Sequence, residues 1–210
     1  MQVMSEGLYN DARWLIGAIA RGLHARGGEA VETVLRRLSE QHLTRAGFVE
    51  PHPQNLPVTR YFAQAIAETM MLEAAIAAAM ATLDGHLKWC QSASYTDAIL
   101  GAGFSHNYGW CELIGPKGFF RGDDFILGLL MLGPNRHYKD HYHPAPELYW
   151  PLTGSTQWRQ GEGGFVPKSA GEIIWHASNE IHATKTADHP MLAVWSWTKD
   201  TDVLAKLVHG

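Results

Sequence analysis

The stretch Tyr138-Lys-Asp-His141-Tyr-His143-Pro-Ala-Pro-Glu147-Leu-Tyr149-Trp-Pro-Leu-Thr-Gly154 decides how the second half of this chain is interpreted. Within it, His141, His143, Glu147 and Tyr149 share odd numbering. Side chains two positions apart in an extended strand face the same side of a sheet. The pattern therefore predicts that these side chains project into one barrel interior. Pro144 and Pro146 are predicted to mark an edge or a bulge, because proline disfavours a central strand.

A second histidine-containing segment follows, Gly171-Glu-Ile-Ile-Trp-His176-Ala-Ser-Asn-Glu-Ile-His182. It is interpreted as a strand, a turn over 178–180 and a return strand, which would bring His182 to the first cluster. Imidazoles combined with a carboxylate suit one divalent transition metal, and Zn, Fe, Mn, Ni and Co are all compatible with that ligand set. A hydrogen-bond network is the other way to satisfy such buried polar groups. The predicted metal ligands are His141, His143, Glu147 and His182.

The character of the chain changes near residue 90. Before it, apolar residues recur at helical spacing, which predicts one helix through Leu8 and Leu23 that ends near Gly27. A second helix is predicted from Val31, with Gly47 near its end, and a long Ala-rich helix over 58–83. After residue 90, glycine-containing turns separate short apolar runs at 125–132, 148–152, 172–175 and 191–197, as in a β-sandwich or barrel. We expect an α-helical extension, 1–90, packed on a β-barrel, 91–210.

Composition excludes several classes of function. The formal net charge is -4, and Lys and Arg (17) are outnumbered by Asp and Glu (21), so a nucleic-acid partner is not expected. Only two Cys occur, which favours a reducing compartment over a disulfide-stapled secreted scaffold. The first residues lack a basic region followed by an apolar one, and the most apolar helical stretch is shorter than a membrane span. The sequence therefore predicts a cytoplasmic protein without a membrane partner.

The run His141-x-His143-x3-Glu147-x6-Gly154 resembles the first motif of the cupin superfamily, and Gly171 with His182 resembles the second. Ala177 and Asn179 depart from that second motif, which often has Pro and Gly there. The resemblance implies a mainly β fold, a cupin β-barrel (double-stranded β-helix), here preceded by the α-helical part. Cupins often pair, so the resemblance leaves a homodimer open.

A narrower resemblance is to the cupin-type dimethylsulfoniopropionate (DMSP) lyases, the DddQ-like group. It rests on the first motif together with these positions: Tyr138, Tyr149, Leu152, Trp175-His176, Trp195-Ser-Trp197 and the run 123–134. The resemblance implies a small-molecule substrate and a β-elimination that gives acrylate and dimethyl sulfide. A cupin dioxygenase using Fe or Ni and a non-catalytic small-molecule-binding cupin are the alternatives.

That reaction needs a strong base close to the metal. Tyr149 is the candidate, since it lies two positions after Glu147, and a phenol has an ordinary pKa of about 10 that a nearby cation would lower. Tyr138 is a second catalytic candidate, as an alternative base or as a donor to the substrate carboxylate. Aromatic faces attract a sulfonium cation. The predicted substrate-binding residues are His176, Trp175, Trp195 and Trp197.

Overall fold

The structure is a computed structural model that describes residues 2–208. Its first part is helical, and the two short 3-10 helices are Arg45–Gly47 and Pro57–Tyr61. The α-helices are α1 Gln2–Arg26, α2 Glu29–Ser39, α3 Phe62–Leu72, α4 Ala74–Leu83 and α5 Asp97–Leu100. Among the described residues, none of the helices has both the length and the apolar character needed to cross a membrane.

The second part is built of short strands. They are β1 Tyr108–Ile114, β2 Ile126–Leu132, β3 His137–Tyr142, β4 Glu147–Pro151, β5 Ser155–Gln160, β6 Val166–Ser169, β7 Ile174–His176, β8 His182–Thr186, β9 Met191–Trp197 and β10 Lys206–Leu207. They form two antiparallel sheets of five strands, in the orders β1-β2-β9-β4-β7 and β10-β3-β8-β5-β6. Two antiparallel sheets preceded by a helical part agree with the predicted mainly β fold.

The first sheet is buried on both faces, which explains why its strands are nearly continuous apolar runs. In β9, Ala193 and Trp195 face the barrel interior, whereas Leu192 and Val194 face the helices. The helices α1 to α4 cover that outer face and share one apolar cluster with it. The extension therefore packs on the outside of the barrel, and the candidate site lies on the opposite face of the same strands.

Two helix predictions need correction. The helix predicted over 58–83 is a 3-10 turn followed by α3 and α4, with a break at Glu73, whose φ is -139° and ψ is 70°. The carboxylate of Glu73 lies 2.8 Å from Nη1 of Arg26 on α1. Glu73, the residue at the break, thus contacts a different helix. The Ala-rich sequence around it gives no indication of that contact and therefore does not predict the break. The second helix ends at Ser39, eight residues before the predicted Gly47.

The prolines of the decisive stretch have a different role from the one predicted. His141 lies on β3 of one sheet, whereas Glu147 and Tyr149 lie on β4 of the other. The segment 143–146, which contains Pro144 and Pro146, is the corner where the chain passes between the sheets. The odd-numbered side chains still reach one interior, but they do so from two facing strands and not from one.

Candidate metal centre

Three histidines from two separate segments of the second half converge inside the barrel. His141 on β3 lies directly opposite His182 on β8, with ring centroids 4.1 Å apart. His143, in the corner that follows β3, has its ring centroid 5.1 Å from that of His182. One ring nitrogen from each of the three lies within 4.8 Å of the others, and all three residues are buried. The strand and return that were predicted for the second motif thus bring His182 to His141.

Backbone carbonyls fix the orientation of each ring. The Nδ1 atoms of His141, His143 and His182 lie 2.8 Å from the carbonyl oxygens of Lys139, Ala145 and Glu180, respectively. A carbonyl only accepts, so each Nδ1 carries the proton and donates it. With Nδ1 held in this way, each ring presents Nε2 to the interior. Histidine binds a metal as the neutral imidazole, and a carbonyl on the other nitrogen is its usual support.

Glu147 completes the cluster from the opposite sheet. Its Oε2 lies 3.1 Å from Nε2 of His143 and 3.3 Å from Nε2 of His182, and its Oε1 accepts a hydrogen bond of 2.8 Å from Nε1 of Trp197. Burial alone would raise the pKa of Glu147, but His143 and His182 hold that pKa well below its usual range. Burial, followed by the neighbouring His182, lowers the pKa of His141. The cluster therefore combines an ionised carboxylate with at least one neutral imidazole.

This donor set fits a divalent transition metal. The Nε2 atoms of neutral histidines and a carboxylate oxygen are all electron-pair donors, and groups of that kind converge favourably only around a cation. Nε2 of His182 is buried, and its 3.3 Å approach to Oε2 of Glu147 lacks hydrogen-bond geometry, so within the described residues this nitrogen has an ion-pair contact but no hydrogen bond. The donor chemistry does not choose among Zn, Fe, Mn, Ni and Co.

The two predicted tyrosines lie on either side of the cluster. The ring of Tyr138 stacks on His141 at 4.0 Å, and its hydroxyl donates to that of Tyr95 at 3.2 Å. Tyr149 shares the inward face of β4 with Glu147 and packs against Trp158 at 4.8 Å. Burial, followed by the Glu147 carboxylate, raises the pKa of Tyr149 well above the usual value. Both phenols are neutral in this arrangement.

Three of the four predicted substrate-binding residues lie beside the cluster. His176 and Trp197 flank Glu147 on the neighbouring strands β7 and β9, and His176 stacks on His182 at 4.0 Å. Trp195 faces the same interior. Trp175 is not brought to the site: it pairs with Leu148 on the outward face and packs against the helix-side cluster. Adjacent strand residues face opposite sides, so His176 and Trp175 cannot both line the interior.

A cavity of about 260 Å³ opens onto this cluster. His141, His143, Glu147, Tyr138 and Tyr149 line its buried end, and its exposed end is lined by Pro116, Lys117, Asp202 and Leu204. Sequence reasoning missed the contribution of β1, whose inward face adds Tyr108, Trp110 and Glu112 to the lining. The alternation of these residues in 108–112 was the signal that could have found them. Tyr95, from the loop before β1, had no such signal.

The facing sheets and the convergent donors define a cupin with a candidate metal centre. The profile of the dimethylsulfoniopropionate lyase family matches residues 30–193, and the chain belongs to that family. This confirms the resemblance drawn from the sequence, and the match extends across the barrel and much of the helical part.

Named relatives agree with the family. The dimethylsulfoniopropionate lyase DddQ of Ruegeria pomeroyi is 30% identical over 118 residues, which are 55% of this chain and 58% of that protein. A putative dimethylsulfoniopropionate lyase DddL of Cereibacter sphaeroides is 25% identical over 150 residues, 70% of this chain and 61% of that protein. The aligned part thus spans about three fifths of each relative. The crystal structure of DddQ from Ruegeria pomeroyi DSS-3 superposes with a TM-score of 0.74 at 22% identity, covering 95% of this chain and 96% of that one.

Proposed function

We propose that this chain is a metal-dependent carbon–sulfur lyase that cleaves DMSP, or a close analogue, by β-elimination to acrylate and dimethyl sulfide. The observation that carries the proposal is the placement of Tyr149 on the inward face of β4, two residues from Glu147, in the cavity that His141, His143 and Glu147 also line. The family membership supports the same reaction class. We further propose the division of the chain into a helical extension, 1–90, and a catalytic barrel, 91–210.

His141, His143, Glu147 and His182 would hold the metal. A bound divalent cation supplies positive charge that withdraws electrons from a substrate carboxylate and offsets the Glu147 charge that raises the pKa of Tyr149. The protein's contribution is to orient the imidazoles through backbone carbonyls, and to bury the whole cluster at the inner end of the cavity. Electrostatic interactions are strengthened in such a buried site.

Tyr149 is the proposed general base. As phenolate, its Oη takes the proton from the carbon next to the substrate carboxylate. The electron pair of that C–H bond forms the C=C bond of acrylate, while the C–S bond breaks and its electron pair leaves with sulfur. The sulfonium charge is thereby neutralised, and the products are acrylate, neutral dimethyl sulfide and a protonated Tyr149. Charge and atoms balance without an oxidant or a further reactant.

Tyr138 is proposed to orient His141 and the substrate carboxylate, and not to remove the proton. Its ring lies flat against His141, and its hydroxyl is engaged with Tyr95. These contacts support a role in fixing His141 and in donating a hydrogen bond to a substrate carboxylate. His176, Trp195 and Trp197 are proposed to bind the substrate, since all three face the interior next to the cluster.

The experiment is an incubation of the purified, metal-loaded protein with DMSP, followed by assay of headspace dimethyl sulfide and of acrylate. We expect equal amounts of the two products from the wild type and none above background from Glu147→Ala. Oxygen uptake is measured in the same samples, because a dioxygenase consumes oxygen and a lyase does not. Product formation that Glu147→Ala leaves intact, or that needs oxygen, would contradict the proposal.

A further inference from the structure

Towards its exposed end, the cavity is lined by a carboxylate, an ammonium group and an aromatic ring that have no role in the proposed reaction. Trp110 and Glu112 come from the inward face of β1, and Lys117 comes from the turn that follows β1. We propose that the Glu112 carboxylate and the face of Trp110 form a cation-binding subsite that receives the sulfonium end of the substrate on entry, and that the Lys117 ammonium holds this position in the free protein. The inference rests on the proposed function for the identity of the cation.

Glu112 is a buried acid that opens onto a cavity. The residue is 5% exposed, and its Oε2 accepts a hydrogen bond of 2.6 Å from the backbone N–H of Lys117. Burial raises the pKa of Glu112, while the charges of Lys117 and Lys88 act in the opposite direction. A carboxylate that is desolvated in this way is stabilised by any cation that approaches it.

The protein's own ammonium marks the position that a cation prefers. Nζ of Lys117 lies 4.5 Å from the ring centroid of Trp110, within the range of a cation–π contact. The residue itself is exposed, so its flexible side chain can move into solvent when another cation arrives. A sulfonium or quaternary ammonium group is more weakly hydrated than a primary ammonium, so it gives up less solvation when it replaces Lys117.

Aromatic rings connect this subsite to the metal centre. Trp110 lies 6.0 Å from Trp195, Trp195 lies 5.7 Å from Trp197, and Trp197 lies 4.4 Å from the ring of His143. A Cβ at Gly128 would overlap the Cys111 carbonyl oxygen and come within 2.9 Å of Nε1 of Trp195, so the close approach of β1 and of the Trp195 ring both require glycine there. A cation that enters at Glu112 therefore meets aromatic faces as far as Glu147.

Glu112 also helps to close the turn at 115–118, so a test must separate that role from cation binding. Glu112→Gln removes the charge and keeps a carbonyl oxygen that can accept the Lys117 N–H. Glu172 is a matched control outside the cavity: its carboxylate accepts the N–H of Ser169 at 2.6 Å and lies 3.1 Å from Nζ of Lys168. Glu172→Gln and Lys168→Met repeat the two substitutions at a more exposed pair away from the site.

The binding experiment uses tetramethylammonium as an unreactive cation and tert-butanol as an uncharged molecule of similar shape. Ligand-observed NMR titrations give the Kd of each for the wild type and the variants. We expect Glu112→Gln to weaken tetramethylammonium binding about tenfold, as for loss of one nearby opposite charge. Lys117→Met should strengthen it about two- to fivefold by removing the competing cation. Neither change should alter tert-butanol binding, and the two control variants should match the wild type.

The outcomes distinguish this inference from the proposed function. Cation affinity that is unchanged in Glu112→Gln, or weaker in Lys117→Met, overturns the subsite even if DMSP is cleaved. If DMSP is not cleaved but cation affinity follows the expected pattern, the subsite stands and the proposed reaction fails. With active enzyme, Glu112→Gln should raise KM about tenfold and leave kcat within about twofold, because the subsite binds substrate before the chemical step.

Discussion

Tyr149 and Tyr138 differ in what their hydroxyl groups contact, and this difference can be tested one atom at a time. Tyr149→Phe removes only the proposed base, so we expect metal content and Tm close to those of the wild type and a loss of kcat of about 10²- to 10⁴-fold. Tyr138→Phe should cost less, since its ring would still stack on His141. Dimethyl sulfide release under saturating DMSP measures both. A near-wild-type rate for Tyr149→Phe would transfer the role of base to Tyr138.

His182 is the ligand whose removal gives the clearest readout of the metal centre. His182→Ala leaves His141, His143 and Glu147 in place but takes away one buried nitrogen donor, so we expect metal content per chain to fall at least tenfold after dialysis. Elemental analysis measures that content without any need for activity. His189→Ala is the control, because His189 is exposed, its Nδ1 lies 3.0 Å from Oδ1 of Asp188, and it is not among the candidate ligands. Full occupancy in His182→Ala would remove His182 from the proposed ligands.

The candidate ligands could be predicted from sequence because metal chemistry restricts residue type and strand geometry restricts spacing. His141, His143, Glu147 and Tyr149 were found by alternation, even though a corner at Pro144 and Pro146 splits them between two sheets. Trp175 was predicted to lie beside them because of the family resemblance. In the structure it pairs with Leu148, whose side chain faces outward, so Trp175 faces outward as well. Lys117 could not be assigned, since its contact with Trp110 depends on the turn after β1, which places the two side chains side by side.

At the scale of elements, Asn179 shows how a departure from the family pattern is accommodated. The cupin motif often has Gly at this position, and the residue adopts a left-handed conformation with φ 60°. Asn tolerates that conformation better than other non-glycine residues. Its backbone N–H donates to the carbonyl of His143 at 2.8 Å, so the turn between β7 and β8 is attached to the corner that carries a candidate ligand.

The loop after α5 is predicted to depend on pH through Asp97. Its carboxylate accepts N–H groups of Gly103 and Ser105, each at 2.7 Å, and the bonds from Ser105 followed by that from Gly103 lower the pKa of Asp97. A lowered folded-state pKa stabilises the protein above the unfolded-state value of about 4, and that contribution is lost as pH falls through the folded-state pKa. Asp97→Ala should therefore lower Tm at pH 7, and its difference from wild type should shrink in acid.

Thermal unfolding at pH 7 and at pH 3 measures this effect. Asp188→Ala is the control, since the lowered pKa of Asp188 arises first from its neighbour His189 and not from a loop that it holds. The loop matters for the site because it carries Phe104, which stacks on Tyr108 at 5.1 Å beside Tyr138. An Asp97→Ala difference that is equally large at both pH values would contradict the assignment.

The close contact of α1 with β4 allows the packing between the helices and the sheet to be tested by single substitutions. A Cβ at Gly22 would overlap Cη2 of Trp150, whereas a Cβ at Gly17 meets only the flexible end of Arg21 at 3.3 Å. Gly22→Ala should lower the free energy of unfolding by roughly 1–2 kcal/mol, because overpacking outweighs the better helix propensity of Ala. Gly17→Ala should be neutral or slightly stabilising. Denaturant titrations compare the two, and equal stabilities would show that Trp150 can move aside.

At the scale of the whole molecule, the first sheet separates the apolar layer that it forms with the helices from the cavity that contains the candidate catalytic groups. Leu148 and Trp150 of β4 belong to the helix-side cluster, and the guanidinium of Arg26 on α1 lies 4.1 Å from the Trp150 ring, while Glu147 and Tyr149 of the same strand face the cavity. Alternation along one strand thus carries both the packing of the extension and the proposed catalytic groups. The sequence predicted a helical extension and an inward-facing set of polar residues separately. Only the strand pairing shows that the two faces of β4 contribute to both.

This arrangement predicts that the barrel does not fold without its extension. A fragment of 91–210 would expose the outward face of the first sheet, including fully buried residues such as Leu127, Leu129, Trp150 and Val194. Burial of each large apolar side chain contributes on the order of 1.5–3 kcal/mol, and typical domains are stable by only about 5–15 kcal/mol. We therefore expect the fragment to be insoluble or to unfold without cooperativity, as judged by circular dichroism and thermal melting beside the full chain. A soluble fragment with a sharp transition and bound metal would show that residues 1–90 only cover a barrel that is stable without them.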